Sequence, residues 1–304
     1  MGRVQRAAVL GHPIAHSLSP VLHRTAYAEL GLDWEYSALD VTSADLPDLL
    51  DSLGPEWAGL LLTMPLKETA IGLLTDVDPQ ARTVRAVNTV LLNGSVRSGF
   101  NTDITGLTAI LADALVGPSR STGAIGTVAS GAAAIGAVVI GTGATARSAV
   151  AALASVGVQR VVVLARSSAA VAELCELAHP LGVDIEPGEW PPTADALASD
   201  IVVSTVPALV AANFPPPERP GLLVDVLYHP WPTPLASSWT AGGGGVVGGL
   251  ELLVRQAVEQ VELMTGHRPS VDRLRAAGSA ALDARSAGAA SVSPGTANIA
   301  QAEQ

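Results

Sequence analysis

Lys67 is the one lysine in the chain; every other strongly basic side chain is arginine. Arginine holds its proton throughout the range in which proteins work, whereas a lysine can give or take one when its surroundings shift it. A reaction that builds negative charge on oxygen needs a proton donor within hydrogen-bond reach. Lys67, at the end of Thr63-Met64-Pro65-Leu66-Lys67, has the chemistry for that task, though a lone lysine could equally be a solvated helix residue.

A second pattern has the chemistry of phosphate binding. Gly141-Thr142-Gly143-Ala144-Thr145-Ala146 fits G-x-G-x-x-A between an expected strand and an expected helix. Gly141 permits the tight turn and Gly143 lets the backbone approach a pyrophosphate. The small Ala146 lets helix and strand pack, with the phosphates at the helix N-terminus. An NAD site usually places an acid about 20 residues on, at the end of the next strand. Here the chain reads Leu164-Ala165-Arg166-Ser167-Ser168. Arg166 and Ser167 offer a cation and a hydroxyl to a 2′-phosphate, which favours NADP; the plain alternative is a solvated loop arginine.

Ser17 and Ser19 lie in Gly11-His12-Pro13-Ile14-Ala15-His16-Ser17-Leu18-Ser19-Pro20, at an expected strand-to-helix junction. Hydroxyls beside free helix N–H groups can hold a carboxylate without a full counter-charge. The plainer reading makes Ser19 an N-cap and Ser17 a turn residue. No metal is expected. Pro13 and Pro20 break any helix that would align His12 and His16, and the sequence around them and His23 offers no convincing acidic or cysteine partner.

The elements that must position these residues alternate. Strands are expected at 6–11, 34–41 and 58–63, with helices starting at Pro20 behind a Ser19 cap, at Ser43 and at about Pro65. Strands 88–92 and 96–99 flank Asn93-Gly94 as a hairpin, and a helix runs from Asn101 to about Leu115. After a Gly/Ala/Ser-rich linker over 117–136 the alternation restarts. Strands are expected at 137–140, 160–164, 200–204 and 222–226, with helices at 144–156 and 169–178. A helix at 249–265 and a short one at 271–276 follow. Beyond Gly278 little can be buried, so a disordered tail is expected over 279–304. The pattern predicts two α/β units.

Taken together, the motifs resemble those of the shikimate dehydrogenase family. Gly11-x-Pro13-Ile14-x-His16-Ser17-x-Ser19-Pro20-x-x-His23 is similar to its N-terminal signature. Thr63-x-Pro65-x-Lys67, Ala86-Val87-Asn88-Thr89 and Asn101-Thr102-Asp103-x-x-Gly106 follow in family order, as do Tyr228-x-Pro230-x-x-Thr233-Pro234-Leu235 and Gly249-x-x-x-Leu253-x-x-Gln256-Ala257. The resemblance implies reversible NADPH-dependent reduction of 3-dehydroshikimate to shikimate in the aromatic amino-acid pathway. It implies an N-terminal α/β substrate domain over 1–106, to which 249–278 return, and a Rossmann NADP-binding domain over 107–248. It makes Lys67 and Asp103 the catalytic pair, with Ser17 and Ser19 on the substrate carboxylate and Thr63, Asn88 and Gln256 on its hydroxyls. Tyr228 and Gly249 fall near substrate and nicotinamide. The chain departs from the family at Arg24, Leu61, Arg85 and Ala144. Leu61 takes a polar group away from the substrate, which keeps a quinate-type substrate open; a non-catalytic NADP-binding regulator is the other alternative.

Composition narrows the classes further. With 304 residues and a net charge of −11, the chain lacks the concentrated positive face that a nucleic-acid backbone requires. The single Cys175 excludes an internal disulfide framework. Aromatics are 3% of residues, so the core must be built of Ala, Val and Leu, which suits buried parallel strands. Mean hydropathy is positive, but the uncharged stretch 121–146 is too rich in glycine for a good spanning helix. A cytoplasmic protein acting on a small molecule is expected, without membrane or nucleic-acid partners; its oligomeric state, a homodimer included, is left open.

Overall fold

The computed structural model describes residues 4–116 and 135–291. Most of the expected linker and residues 292–304 of the expected tail therefore lie outside the described residues.

The first unit runs β1 (Gln5–Gly11), α1 (Ser19–Glu29), β2 (Trp34–Asp40), α2 (Leu46–Ser52), β3 (Trp57–Leu62), α3 (Leu66–Thr69), β4 (Asp76–Val77), α4 (Pro79–Thr83), β5 (Thr89–Asn93) and β6 (Val96–Phe100). Its sheet has the order β2-β1-β3-β5-β6-β4, parallel from β2 to β3 and antiparallel through β5 and β6. Side-chain alternation along β1 decides which layer each residue serves. Ala7 and Val9 face a core shared with α1, whereas Ala8 and Leu10 face one shared with Leu46, Leu50 and Leu66.

α5 (Thr102–Val116) leads out of the first unit, and Leu107, Ile110 and Leu111 along it join the core of the second. That unit contains β7 (Ala137–Ile140), α6 (Ala144–Ser155), β8 (Arg160–Leu164), α7 (Ser168–Ala178), β9 (Asp184–Pro187), β10 (Ile201–Ser204), α8 (Ala208–Ala211), β11 (Leu222–Asp225), α9 (Pro234–Ala241) and β12 (Gly245–Gly248). Its sheet is parallel throughout, in the order β12-β11-β10-β7-β8-β9. This is doubly wound order, with its switch point between β7 and β10, where ligands enter such sheets. The central strands Ala-Val-Val-Ile and Ile-Val-Val-Ser are buried at every position, as a sheet covered on both faces requires.

α10 (Gly249–Thr265) and α11 (Val271–Ser291) then return to the first unit. Leu253, Val254, Ala257, Val258 and Val261 of α10, with Leu274 of α11, complete the core around Leu18, Leu22, Ala26 and Tyr27.

Four local expectations are corrected. The hairpin pairs Asn93 with Val96, so its two loop residues are Gly94 and Ser95, one position later than Asn93-Gly94. α2 starts at Leu46 rather than Ser43, because Thr42 bonds Asp45 through both its N–H and its hydroxyl and closes a turn first. Ser19 is the first residue of α1 and not its cap. Leu18 holds the cap position, and the Ser17 hydroxyl accepts the Ser19 N–H at 3.2 Å. Finally, the short helix at 271–276 and the tail from 279 are one helix as far as Ser291. Ala281 and Leu282 pack on the first core and give the Ala-rich segment something to bury. Among the described residues no helix is long and apolar enough to cross a membrane.

Candidate active site

Strand ends and helix starts converge between the two units. β3 ends where Thr63 donates its N–H to the Leu10 carbonyl, and the chain turns into α3, which carries Lys67. Asn101 opens α5 by accepting the Ile104 N–H on its side-chain oxygen, which sets Asp103 in the first turn. Lys67 Nζ donates to Asp103 Oδ2 at 2.5 Å, with Lys67 14% and Asp103 3% exposed.

The orientation of this carboxylate is fixed from behind. Asn88, buried, accepts the Thr102 N–H on Oδ1 at 2.8 Å, together with the hydroxyls of Thr89 and Thr102. Its Nδ2 is thereby left to donate, to Asp103 Oδ1 at 3.0 Å and to Gln256 Oε1 at 3.2 Å. Gln260 Nε2 closes the network on the hydroxyls of Thr89 and Thr102. Gln260 escaped the sequence reading. The signal was its i+4 spacing from Gln256, which puts both amides on one helix face.

A cleft of about 250 Å³ opens onto this network. Ser17, Ser19, Thr63, Lys67, Asn88, Asp103, Tyr228, Gly249 and Gln256 all line it, joined by Thr145 and Gln260. The Ser17 oxygen takes the Ser19 N–H, so its own proton points elsewhere. Gln256 spends its oxygen on Asn88 and keeps its NH₂ for the cleft. Tyr228 follows β11, whose last residue, Asp225, accepts the Leu227 N–H and the Thr233 hydroxyl at 2.6 Å; burial raises the Asp225 pKa. Gly249 is required by close approach, since a Cβ there would collide with the Val226 carbonyl.

A second cavity, about 500 Å³, adjoins the first and shares Thr63, Lys67 and Thr145 with it. Gly143 and Ala144 line it, at the N-terminus of α6 and the switch point of the sheet. Gly141 has φ +113°, and a Cβ there would strike the Thr205 hydroxyl. Gly143 differs: a Cβ on it would meet nothing of this chain within 4 Å, and no side chain caps the helix. Backbone N–H groups therefore face open space, the arrangement a pyrophosphate needs. Ala146 is buried in the sheet–helix core. Arg166 and Ser167 are exposed beyond β8, Ser167 capping α7 through the Ala170 N–H. These residues fit a dinucleotide.

The departures now have places. Leu61 lines the substrate-side cleft within an apolar core. Arg24 turns away from the cleft and donates twice to the Tyr36 carbonyl. Arg85 adopts a left-handed φ of +48° and pairs with Glu173 of α7. Next to it Arg147 of α6, 8% exposed, donates to the carbonyls of Val84 and Arg85 and pairs with Glu68 at 2.6 Å. His12 turns outward onto Asp40, while His23 is buried with Nδ1 on the Ser19 carbonyl.

Known proteins resemble this chain over most of its length. The shikimate dehydrogenase substrate binding domain matches residues 9–90, and the shikimate 5'-dehydrogenase C-terminal domain matches residues 249–277. A shikimate dehydrogenase (NADP(+)) of Exiguobacterium sibiricum is 32% identical, over 87% of this chain and 94% of that protein. The crystal structure of Mycobacterium tuberculosis shikimate dehydrogenase superposes with a TM-score of 0.77 at 37% identity, over 91% of this chain and 99% of that one. Shikimate 5-dehydrogenase from Thermus thermophilus, solved in complex with NADP(H) and shikimate, gives a TM-score of 0.74 at 31% identity, over 92% of this chain and 100% of that one.

Proposed function

This chain belongs to the shikimate dehydrogenase family, and from that premise we propose that it catalyses the reversible reduction of 3-dehydroshikimate to shikimate with NADPH. The observation that carries the reading is the Lys67–Asp103 pair, standing where the substrate-side cleft and the dinucleotide-side cavity share their walls.

NADPH, when bound, supplies the hydride. Gly141, Gly143, Ala144 and Ala146 shape the turn that receives its pyrophosphate, Arg166 and Ser167 hold its 2′-phosphate, and Gly249 bounds the nicotinamide end. The other roles belong to the substrate side. Lys67 holds the proton that the ketone oxygen takes up on reduction and receives it back in the reverse direction. Asp103 keeps the Lys67 ammonium aimed at that oxygen. Asn88 prevents the carboxylate from rotating away, since it holds the second oxygen while Lys67 holds the first. The Ser17 hydroxyl and the Ser19 hydroxyl take the substrate carboxylate. Thr63 and Gln256 bind ring hydroxyls, Asn88 contributes by holding the Gln256 oxygen so that the Gln256 NH₂ faces the cleft, and Tyr228 closes the cleft over the carboxylate end. Little solvent reaches the pair, which strengthens each of these charge interactions.

The test is the absorbance of NADPH formed when purified protein meets shikimate and NADP⁺, with quinate and NAD⁺ in parallel. Rapid reduction confined to shikimate with NADP⁺ is the expected result. Faster turnover of quinate would reassign the substrate to the consequence of Leu61. No reduction in any arm, with NADP⁺ still bound, would overturn the reading in favour of a regulator.

A further inference from the structure

The last helix of the chain reaches back to the substrate cleft. Arg285, on α11, donates from Nη1 to the His16 carbonyl at 2.8 Å and from Nη2 to the Ser17 carbonyl at 3.1 Å. One guanidinium thus clamps two successive peptides of the loop that presents Ser17. Among the described residues it has no acidic partner, unlike Arg275 on the same helix, which pairs with Glu251 and Asp272. Its charge also bears on Tyr228, partly opposing the burial that raises that phenol's pKa. Tyr228 separates the substrate cleft from a cavity of about 310 Å³ that Leu282 and Ser286 of α11 help to line. The family match ends at residue 277, so this clamp lies in a part of the chain that the match leaves undescribed.

We propose that Arg285 is a positioning residue for the carboxylate end of the substrate site, fixing the Ser17 loop and giving that end its preference for an anion. A rigid two-pronged fork on neighbouring carbonyls resists both translation and twist of the loop, which one flexible ammonium does not. A cation on the Ser17 loop, without an acidic partner among the described residues, adds attraction for a carboxylate in a chain whose net charge is −11.

The inference rests on the proposed reaction, and the experiment separates the two. If the parent enzyme does not oxidise shikimate, the reaction itself is wrong; if the parent is active, the variants judge Arg285 alone. Arg285→Met and Arg285→Lys would be compared by steady-state kinetics from low to high salt, with urea unfolding as a control on the fold. Loss of a charged hydrogen-bond donor predicts a rise of about tenfold in the KM for shikimate in Arg285→Met, with kcat and the KM for NADP⁺ within about twofold. The parent KM should climb more steeply with salt than the Met variant's, because Met removes one of the charges that screening weakens. Arg285→Lys should restore the salt dependence and part of the affinity. An unchanged KM for shikimate would overturn the proposal. So would a Met variant whose salt response equals the parent's, or one whose kcat and unfolding midpoint fall with its affinity, since either outcome describes a structural strut.

Discussion

Replacing Asn88 with alanine should damage stability and chemistry together, and the damage can be worked out contact by contact. Asn88 makes five side-chain hydrogen bonds: three into its oxygen, from Thr102 N–H, Thr102 Oγ1 and Thr89 Oγ1, and two from its nitrogen, to Asp103 and Gln256. One threonine hydroxyl can redirect its proton to the other while both go on accepting from Gln260, and Gln256 can turn towards the cleft. Neither the Thr102 backbone N–H nor Asp103 Oδ1 has such an escape. An orphaned buried donor costs about 1–3 kcal/mol, and a charged acceptor losing a donor costs about as much again. The expected loss is therefore roughly 2–6 kcal/mol, a large share of a typical domain's stability. With Oδ1 released, Asp103 can rotate and carry Lys67 with it, so kcat should fall by about a hundredfold. Urea unfolding would read the first effect and shikimate oxidation the second. A midpoint and a kcat both within experimental error of the parent would refute the account, because they would mean that the network does not hold the carboxylate.

Three further outcomes follow from the same structure. Lys67→Ala should lower kcat by several orders of magnitude while leaving NADP⁺ binding intact. Near-normal turnover in that variant removes Lys67 from the mechanism. Arg166→Ala should raise the KM for NADP⁺ about tenfold or more and leave that for NAD⁺ unchanged, and a parallel loss with both would deny Arg166 the 2′-phosphate. His23 is buried and its pKa is lowered to about 4, chiefly because burial disfavours the imidazolium, with the Ser19 carbonyl pulling the other way. The unfolded chain then binds the proton more readily, so this contribution is complete above the ordinary 6.5. It is lost as pH falls from there towards 4, a difference of roughly 3 kcal/mol. His23→Phe should flatten that acid decline in the urea midpoint; an equally steep decline would assign it to other groups.

Much of this site could be read from residue types alone, for a definite reason. Lys67, Gly141 and Gly143 advertise themselves because each does what its neighbours in composition cannot: move a proton, adopt φ +113°, leave room for a phosphate. The alternation of strands and helices was equally plain, since apolar runs such as Ala137–Ile140 admit few other readings. What escaped depends on partners distant in sequence. Gln260 looks like one polar residue in a helix until Thr89 and Thr102 are beside it. The Ala/Ser-rich segment after Gly278 has too little apolar surface to announce a helix, and becomes one by lying against α1 and α10. Ser19 has the residue type of a cap, but Leu18 holds the cap position and Ser17, two residues earlier, accepts the Ser19 N–H. Arg147 gave no signal at all, and Arg85 only that of a departure from the family pattern, for their importance lies in the carbonyls and acids that packing between the units brings to them.

The return of α10 and α11 to the first sheet has a consequence for how the molecule is made. Synthesis proceeds from the N-terminus, yet the apolar side of β1 and α1 is covered by Leu253, Val254, Val258, Val261 and Leu274. The first unit to leave the ribosome must therefore wait, with that face open, while the whole parallel sheet is translated and folds. Gly249 and Gln256 then arrive on a single helix, so the two halves of the cleft are joined in the same event that seals the first core. The order of birth and the order of completion are reversed, and the newborn N-terminal half is the stage at which chaperone protection matters most.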